Sequence, residues 1–420
     1  MTVQTPKGTR DFYPDAMRIQ NHIFRIWRDT CLAFGYEEYE APLFEHLELY
    51  TEKSGEEILS QLYHFKDKGG RDLALRPEIT PTVARMVNRK GPSLKLPIRW
   101  FSIPRLFRYE RSQKGRLREF FQLNMDIIGC GGIWAEIDLI IAVIEMLKAF
   151  GLSQQDFYVG ISSRRLLTGM LKDLQVPEHK MQKIYAAMDK KGKVPDDVWE
   201  NMLLDCGLSA EGINRLRLFF GCSSLDSLIE QGKWGMMPPG LEELKQLFHR
   251  LEELGYESCV RLDLSVVRGL DYYTGVVFEV FDRKKKLRAI AGGGRYDDLL
   301  EHLGGRPVSG VGFGIGDVVL LEMLKQKNLV PNASGLLDYF LVSFGDISTD
   351  MLALAGKLRK RGRRVTYSLQ PGKVKKQLAL ANELGAGRVI FFGSDKAGEG
   401  TFEVKDMLKG EQRVVALEDL

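Results

Sequence analysis

Cysteine and histidine are scarce in this chain, and their spacing argues against the common disulfide and zinc frameworks. The 420 residues include five cysteines, no two of which form a C-x-x-C pair, and six scattered histidines. We therefore expect no protein-held metal site. Free thiols in a reducing compartment are the simplest interpretation of an odd number of separated cysteines.

Long apolar runs are also missing. The first fifteen residues contain acids and lack the apolar segment of a secretory signal peptide. The most apolar helical stretch, 137–150, is interrupted by Glu145 and is too short to cross a bilayer. We expect a cytosolic protein that does not associate with membranes.

Neither charge sign dominates the composition. The formal net charge is +4, and 44% hydrophobic with 28% charged residues is typical of a soluble globular chain with two or three domains. Such a balanced total does not by itself indicate nucleic-acid binding.

Hydrophobic periodicity predicts an α+β architecture. Helical spacing predicts helices over 16–34 and 132–150, and 99–129 is predicted to be a hairpin. Strand patterns resume at 260–266 and recur in GVVFEVF, AIAGGGR and VSGVGFGIG, separated by turns and helices. Antiparallel strands broken by helices favour α+β over regular βαβ alternation.

The pattern along the chain also predicts domain boundaries. Residues 164–255 read as an inserted helical domain, and 331–335 (PNASG) read as a linker. Beyond the linker, alternating strands and helices predict a small α/β domain with a mostly parallel sheet.

Polar side chains concentrate around the predicted hairpin. Arg108 and Glu110 share a face of the incoming strand, while Gln122 and Asp126 share the polar face of the outgoing strand. A guanidinium suits phosphate or carboxylate, and a carboxylate suits a ligand cation or N–H group. A solvated face with cross-strand ion pairs explains the pattern equally well.

A second concentration is the segment RGLDYYTG, which contains Arg268, Tyr272 and Tyr273. Its glycines permit a backbone bend that would aim these side chains at one point. A hairpin with aromatic packing is the alternative interpretation.

Glycine alternates along one predicted strand. By the period of two, the glycines share one strand face, which could accept a flat ring such as adenine or a tightly packed helix. The GGG before Arg295 lacks the context of a P-loop or a dinucleotide fold. The alternating glycines are Gly310, Gly312, Gly314 and Gly316.

One C-terminal segment, 357–376, contains nine basic residues and no acid. Because like charges repel, a polyanionic partner would relieve the repulsion within this segment and release counterions. A solvated helix end is the alternative interpretation. The nine residues are Lys357, Arg359, Lys360, Arg361, Arg363, Arg364, Lys373, Lys375 and Lys376.

Taken together, these segments resemble the histidyl-tRNA synthetases, a family of class II aminoacyl-tRNA synthetases. KGTRDF resembles the family's N-terminus, the first helix with the Pro42 strand resembles the dimer-forming motif 1, and LRPEITP resembles its amino-acid-binding segment. FRYERSQKGRLREFFQ resembles motif 2, and RGLDYYTG and AGGGRYDDL are similar to two histidine-specific signatures.

The resemblance implies a cytosolic homodimer that uses ATP and Mg²⁺ to activate L-histidine and then loads it onto tRNA(His). It implies an antiparallel class II catalytic domain over 1–330, interrupted by the 164–255 insertion, and an α/β anticodon-binding domain over 336–420. A non-catalytic histidine-sensing paralogue, like the regulatory subunit of ATP phosphoribosyltransferase, is the rival, and a bare tRNA-binding module is a weaker one.

Roles for individual residues follow from this resemblance together with the glycine and charge patterns. Arg108 and Arg268 are the implied catalytic residues, contacting the α-phosphate and the substrate carboxylate. Histidine would be held by these two arginines and by Glu78, Ile79, Thr80, Gln122, Asp126, Tyr272 and Tyr273. ATP would be held by Arg108, Glu110, Arg116, Phe120, Gly312, Gly314 and Gly316. The transfer RNA would contact Arg359, Lys360, Arg361, Arg363, Arg364, Lys373, Lys375 and Lys376.

One departure from the family pattern stands out. Motif 3 usually carries an arginine in the first turn of its helix, as an ATP contact, but here the helix reads DVVLL over 317–321. Either another basic residue, such as Arg295, substitutes, or the γ-phosphate has weaker support.

Overall fold

The computed structural model describes residues 3–51, 60–110, 113, 115–232, 239–268, 272–331 and 337–420. Parts of three predicted features lie outside these ranges: the hairpin turn, residues 269–271 of RGLDYYTG, and all but the first residue of the 331–335 linker. The chain divides into two compact units, Met1–Val330 and Pro331–Leu420.

The larger unit is built on a mixed sheet that contains nine strands among the described residues. Its order is β1-β5-β7-β12-β11-β10-β8-β9, with β6 also paired to β7, and a separate small sheet has the order β2-β4-β3. The strands are β1 (Glu37–Glu38), β2 (Phe44–His46), β3 (His64–Lys66), β4 (Asp72–Leu75), β5 (Ile98–Ser102), β6 (Arg105–Phe107), β7 (Glu119–Ile128), β8 (Phe157–Ser163), β9 (Val260–Leu262), β10 (Val276–Asp282), β11 (Ala291–Arg295) and β12 (Gly310–Gly316).

Helices cover and interrupt this sheet. They are α1 (Pro14–Ala33), α2 (Glu48–Thr51), α3 (Thr80–Lys90), α4 (Trp134–Ala149), α5 (Arg164–Asp173), α6 (Met181–Asp189), α7 (Asp196–Asp205), α8 (Ala210–Gly221), α9 (Leu225–Gly232), α10 (Leu241–Glu253), α11 (Leu299–His302) and α12 (Asp317–Gln326). Short 3₁₀ turns occur at Gly91–Ser93, Glu178–Lys180 and Glu257–Cys259. In the described part of the chain, no helix combines the length and apolar character needed to cross a bilayer.

Apolar alternation places the core on one side of the sheet. Leu123, Met125 and Ile127 of β7 belong to one buried cluster with Trp27 of α1 and Ile140 of α4. Because side chains alternate along a strand, this packing leaves the polar side chains of β7 on the opposite face. The predicted incoming strand of the hairpin is broken between β5 and β6, where Pro104 has no N–H to donate.

Helices α5 to α10 occupy the interval between β8 and β9. Trp199, Leu203 and Leu244 in these helices lie in the same buried cluster as the sheet residues. The inserted helices are therefore packed continuously with the core of the larger unit.

The smaller unit has a five-stranded sheet of order β14-β13-β15-β16-β17 in its described residues. The first three strands pair in parallel and the last two add antiparallel. Strands β16 and β17 are not predicted from the sequence pattern. The elements are β13 (Leu337–Ser343), α13 (Thr349–Lys360), β14 (Val365–Tyr367), α14 (Val374–Glu383), β15 (Ala386–Phe392), β16 (Thr401–Asp406), β17 (Gln412–Ala416) and a final 3₁₀ turn, Leu417–Asp419.

Candidate active site

The polar face of β7 is covered over most of its length. Asn124 is 6% exposed and Asp126 is 2% exposed, so the solvated alternative does not hold for these two side chains. Buried polar groups are expected to have partners or a ligand, because an unpaired one costs free energy. This face of β7 is therefore the place to look for a binding site.

The glycines of β12 make room for the side chains of β7. The register pairs Gly312 with Asp126 and Gly314 with Asn124. A Cβ atom at Gly312 would collide with Asp126 Oδ1, and one at Gly314 would lie 2.8 Å from Gln122 Cδ. The side chains of Asp126 and Gln122 therefore occupy the space over Gly312 and Gly314, two of the glycines that are predicted to accept a flat ring.

Gly316 differs from those two glycines. Among the described residues, no heavy atom lies within 4 Å of the position that its Cβ would occupy. Gly310 accommodates protein instead, because its Cβ would collide with the ring of Tyr296. Of the alternating glycines, Gly316 is the one that leaves open space beside the strand.

Asp126 is a buried carboxylate with one satisfied oxygen. Its Oδ1 accepts a hydrogen bond of 2.5 Å from the hydroxyl of Tyr296, which is itself buried. Its Oδ2 is buried and has no partner among the described residues. Burial raises the pKa of Asp126 to about 7, although the Tyr296 hydrogen bond opposes the shift. Oδ2 is therefore positioned to accept an N–H group from a ligand.

Glu78 repeats this arrangement at the start of α3. Its Oε2 accepts a hydrogen bond of 2.7 Å from the Tyr272 hydroxyl, and Oε1 is buried without a partner in the described part of the chain. Burial raises the pKa of Glu78, and Tyr272, Arg108 and Arg268 lower it. Ile79 next to it is fully buried, and Thr80 is half-buried at the first position of α3.

Three tyrosine rings connect the two carboxylates. The ring of Tyr272 lies 5.1 Å from the ring of Tyr273 and 6.0 Å from that of Tyr296, measured between centroids. Tyr273 lies over β11, because a Cβ at Gly294 would be 2.9 Å from its Cδ1. Glu78, Asp126 and these rings therefore form one connected group.

The Arg268 side chain lies over Gly292, the next glycine on the same face of β11. A Cβ at Gly292 would be 2.5 Å from its Nη1, which donates a 2.6 Å hydrogen bond to Glu279 Oε1 on β10. Its Nε is buried without a partner among the described residues. The backbone of Arg268 has a φ of +61°, a strained conformation for a residue with a side chain. The guanidinium is thus fixed before any ligand arrives.

Arg108 approaches from the hairpin. Its Nε donates to the carbonyl of Pro77 at 2.9 Å, and its Cζ lies 5.5 Å from the ring centroid of Phe120. Nearby, Arg116 Nη1 pairs with Glu110 Oε2 at 2.5 Å. Pro77 precedes Glu78 in the sequence, so this hydrogen bond anchors Arg108 near the Glu78 carboxyl, and the charge of Arg108 lowers the pKa of Glu78.

Within one unit, the structure brings together the residues that the resemblance assigns to histidine. The same sheet face holds Gln122 and Asp126, and Arg268 and Tyr273 lie over the glycines of β11. Arg108 joins them through the Pro77–Glu78 segment. The arrangement offers two half-satisfied carboxylates and two anchored guanidinium groups, which suits a zwitterionic ligand with a phosphate beside it.

Comparison with known proteins identifies the family. A family model described as histidyl-tRNA synthetase matches residues 8–316, and one described as an anticodon binding domain matches residues 340–420. The chain belongs to the histidyl-tRNA synthetase family. It is an aminoacyl-tRNA synthetase, a ligase, and the resemblance drawn from its motifs is confirmed.

Full-length relatives agree with this family. The chain is 44% identical over 416 residues to a histidine–tRNA ligase of Opitutus terrae, covering 97% of the chain and 94% of the relative. It is 41% identical over 419 residues to the chloroplastic/mitochondrial histidine–tRNA ligase of Arabidopsis thaliana, covering 100% and 86% respectively. A solved histidyl-tRNA synthetase from Nostoc matches with a TM-score of 0.83 at 22% identity, covering 100% of this chain and 99% of that one. The predicted α+β fold is confirmed, and the histidine-sensing paralogue is not favoured.

Arg295 does not replace the arginine that the family's motif 3 usually carries. Its Nε and Nη2 form a buried bidentate pair with Glu136, at 2.5 and 2.6 Å. Nη1 and Nη2 also donate to the carbonyls of Cys130 and Gly132. Freeing this guanidinium would leave the buried carboxylate of Glu136 unpaired, which is costly. The Glu136 pair therefore argues against the first of the two alternatives, in which Arg295 substitutes as an ATP contact.

The first turn of α12 contains a buried structural carboxylate, Asp317, where the family pattern has an arginine. Asp317 is fully buried; its Oδ1 accepts the backbone N–H of Phe121 at 3.1 Å, and its Oδ2 accepts Arg10 Nη2 at 2.8 Å. The carboxylate thereby joins the N-terminal segment, strand β7 and helix α12.

Sequence reasoning missed two residues that hold side chains of the candidate site in place, Tyr296 beside Asp126 and Glu279 beside Arg268. Tyr296 follows Arg295 in the AGGGRYDDL signature, and Glu279 is the polar residue in the apolar strand GVVFEVF. An isolated acid in such a strand was a signal that could have found Glu279. The partner of Tyr296 could not be found this way, since 170 residues separate it from Asp126.

The basic cluster of the smaller unit is only partly free. Arg359 donates to the Val365 carbonyl, Arg361 to the Leu417 carbonyl, and Arg364 pairs with Asp338 at 3.3 Å. The other predicted tRNA contacts are exposed and form no ion pair within the described ranges. These exposed residues are Lys360, Arg363, Lys373, Lys375 and Lys376.

Proposed function

We propose that this chain activates L-histidine with ATP, releasing pyrophosphate, and transfers the histidyl group to the 3′ end of tRNA(His). The observation that carries this proposal is the pair of buried carboxylates, each with one unpaired oxygen, joined by tyrosine rings beside two guanidinium groups. Membership in the histidyl-tRNA synthetase family supports the same reaction.

The two carboxylates would divide recognition of the amino acid between them. Glu78 Oε1 would accept the α-ammonium group, with Thr80 and the backbone of Ile79 beside it. Asp126 Oδ2 would accept an imidazole N–H, and the Tyr273 hydroxyl would meet the other ring nitrogen. Tyr296 and Tyr272 hold the carboxylates in place. Amino acids without an imidazole would leave these buried groups unpaired, which costs on the order of 10⁴-fold in selectivity.

The guanidinium groups would serve the phosphoryl chemistry. A carboxylate oxygen of histidine attacks the α-phosphorus, a new P–O bond forms, and the bond to pyrophosphate breaks. Arg108 and Arg268 would stabilise the negative charge that gathers on the α-phosphate during this step. Both are anchored by protein contacts, so little reorganisation is required in the transition state.

The nucleotide and its metal ion would lie next to these arginines. Glu110, Arg116 and Phe120 would contact ATP, and the open space at Gly316 is where β12 could meet the nucleotide. Among the described residues, no group of three His, Cys, Asp or Glu side chains could hold a metal. Mg²⁺ would accompany ATP, with phosphate oxygens and waters as its main ligands.

The smaller unit would bind the transfer RNA. The match to an anticodon binding domain supports this role, as does the exposed basic group on α13 and α14. The lysines at 373, 375 and 376 have no competing carboxylate among the described residues, so they are the strongest candidates for phosphate contacts. A homodimer and a cytosolic location remain predictions, which sedimentation and cell fractionation would check.

A histidine-dependent ATP–pyrophosphate exchange assay tests the proposal. We expect exchange with histidine and none above background with the other nineteen standard amino acids. Absence of exchange with histidine would instead support a non-catalytic, histidine-sensing protein. Charging of tRNA(His) in the presence of the same enzyme would then test the transfer step.

A further inference from the structure

An unassigned arginine lies across from the motif 2 loop. Arg288 sits in the connection between β10 and β11, and its side chain is exposed. A Cβ atom at Gly115 would lie 3.6 Å from Arg288 Cδ and 3.6 Å from Val319 Cγ2. The aliphatic stem of Arg288 therefore meets the first turn of α12 at Gly115, next to Arg116.

The charges around Arg288 are unbalanced. Burial of part of the group lowers the pKa of Arg288, the nearby positive charge of Arg116 lowers it further, and Glu110 raises it. Glu110 is already paired with Arg116. Among the described residues, Arg288 forms no ion pair of its own. Two guanidinium groups near one another with a single shared carboxylate favour an additional anion.

Two other arginines are already engaged. Arg10 is paired with Asp317 in the first turn of α12, and Arg295, at the far end of β11, is buried against Glu136. Val319, which also lies in the first turn of α12, has an uncharged side chain that cannot form an ion pair with a phosphate. A ligand can therefore recruit the Arg288 guanidinium without breaking an ion pair among the described residues.

We propose that Arg288 binds the terminal phosphates of ATP opposite Arg116, and supplies the positive charge that the first turn of α12 lacks. The proposal rests on the proposed function, because it names a contact for the nucleotide of that reaction. A planar guanidinium binds phosphate oxygens in a bidentate manner that an ammonium group does not reproduce. As pyrophosphate leaves, the same contact stabilises its growing charge.

The test compares Arg288→Ala and Arg288→Lys with the wild-type full-length protein in ATP–pyrophosphate exchange. Lys284→Ala is the matched control, because it removes an exposed positive charge from the same connection. We expect Arg288→Ala to raise the KM for ATP and for pyrophosphate by about 10- to 100-fold, the effect of losing one charged hydrogen-bonding group. The KM for histidine should change less than about 2-fold, and Arg288→Lys should recover part of the affinity.

Three results would overturn the inference. The first is an unchanged KM for ATP in Arg288→Ala while the wild type exchanges normally. The second is an equal rise in the KM for ATP and for histidine, which would indicate a structural effect. The third is the same rise in Lys284→Ala, which would indicate a general electrostatic effect. A wild-type protein that shows no exchange would instead refute the proposed function, so the two failures are distinguishable.

Discussion

Replacing Tyr296 by phenylalanine should shift the pH dependence of histidine activation. The ring fills the space opposite Gly310 in both proteins, so the change removes mainly the 2.5 Å hydrogen bond to Asp126. A hydrogen bond to a charged group contributes about 1.5–3 kcal/mol. One pKa unit corresponds to about 1.4 kcal/mol, so the loss is worth about one to two units.

The sign of the shift follows from the charge state. Asp126 must be ionised to accept an imidazole N–H, and its pKa in the wild type is about 7. As the pH falls through this value, the carboxylate is protonated and kcat/KM for histidine declines. The Tyr296 hydroxyl stabilises the ionised form, so Tyr296→Phe raises the pKa of Asp126 and moves the decline to higher pH.

The assay is ATP–pyrophosphate exchange at limiting histidine over pH 5.5–9, with saturating ATP. Protonation of free histidine affects both proteins equally, so the difference between their profiles reports on the enzyme. Asp126→Asn serves as the reference, since it lacks the titrating carboxylate. If the profiles of the wild type and Tyr296→Phe coincide, Asp126 is not the group that controls histidine binding, and the reasoning is refuted.

Three further predictions test other parts of the site. Arg268→Ala should lower the rate of adenylate formation by about 10²–10³ in single-turnover measurements, and near-normal turnover would refute its assigned role. Gly312→Ala should reduce kcat/KM for histidine by at least about 10-fold and the free energy of unfolding by about 1–3 kcal/mol, because the new Cβ collides with Asp126. Wild-type values for this variant would contradict the packing. Neutralising three lysines should weaken tRNA binding and reduce the magnitude of the slope of log K against log salt by about two to three. An unchanged slope would exclude these lysines as phosphate contacts. The lysines are Lys373, Lys375 and Lys376.

Local patterns in the sequence were sufficient for much of the fold. Helix α1 and the alternation in β7 follow from the spacing of apolar residues, which depends on local geometry alone. Strands β16 and β17 were not predicted, because their side chains are mostly partly exposed and show little apolar periodicity. The break at Pro104 was also missed, although a missing N–H within a strand is a local signal.

Contacts between distant segments were harder to predict. The sequence offers Arg295 as a possible ATP contact, whereas in the structure its guanidinium pairs with Glu136, 159 residues away. The glycine pattern predicts a bare face on β12, but the register with β7 places the side chains of Asp126 and Gln122 over Gly312 and Gly314. Such pairings depend on strand order and register, which one sequence without long-range information does not specify.

The central claim is that the unpaired oxygens of Glu78 and Asp126 hold the two ends of histidine. A crystal structure of the protein with bound histidine tests it most directly. The account predicts the α-ammonium nitrogen within hydrogen-bonding distance of Glu78 Oε1 and an imidazole nitrogen within that distance of Asp126 Oδ2. Histidine bound with its ring away from Asp126, or bound at another face of the sheet, would contradict it.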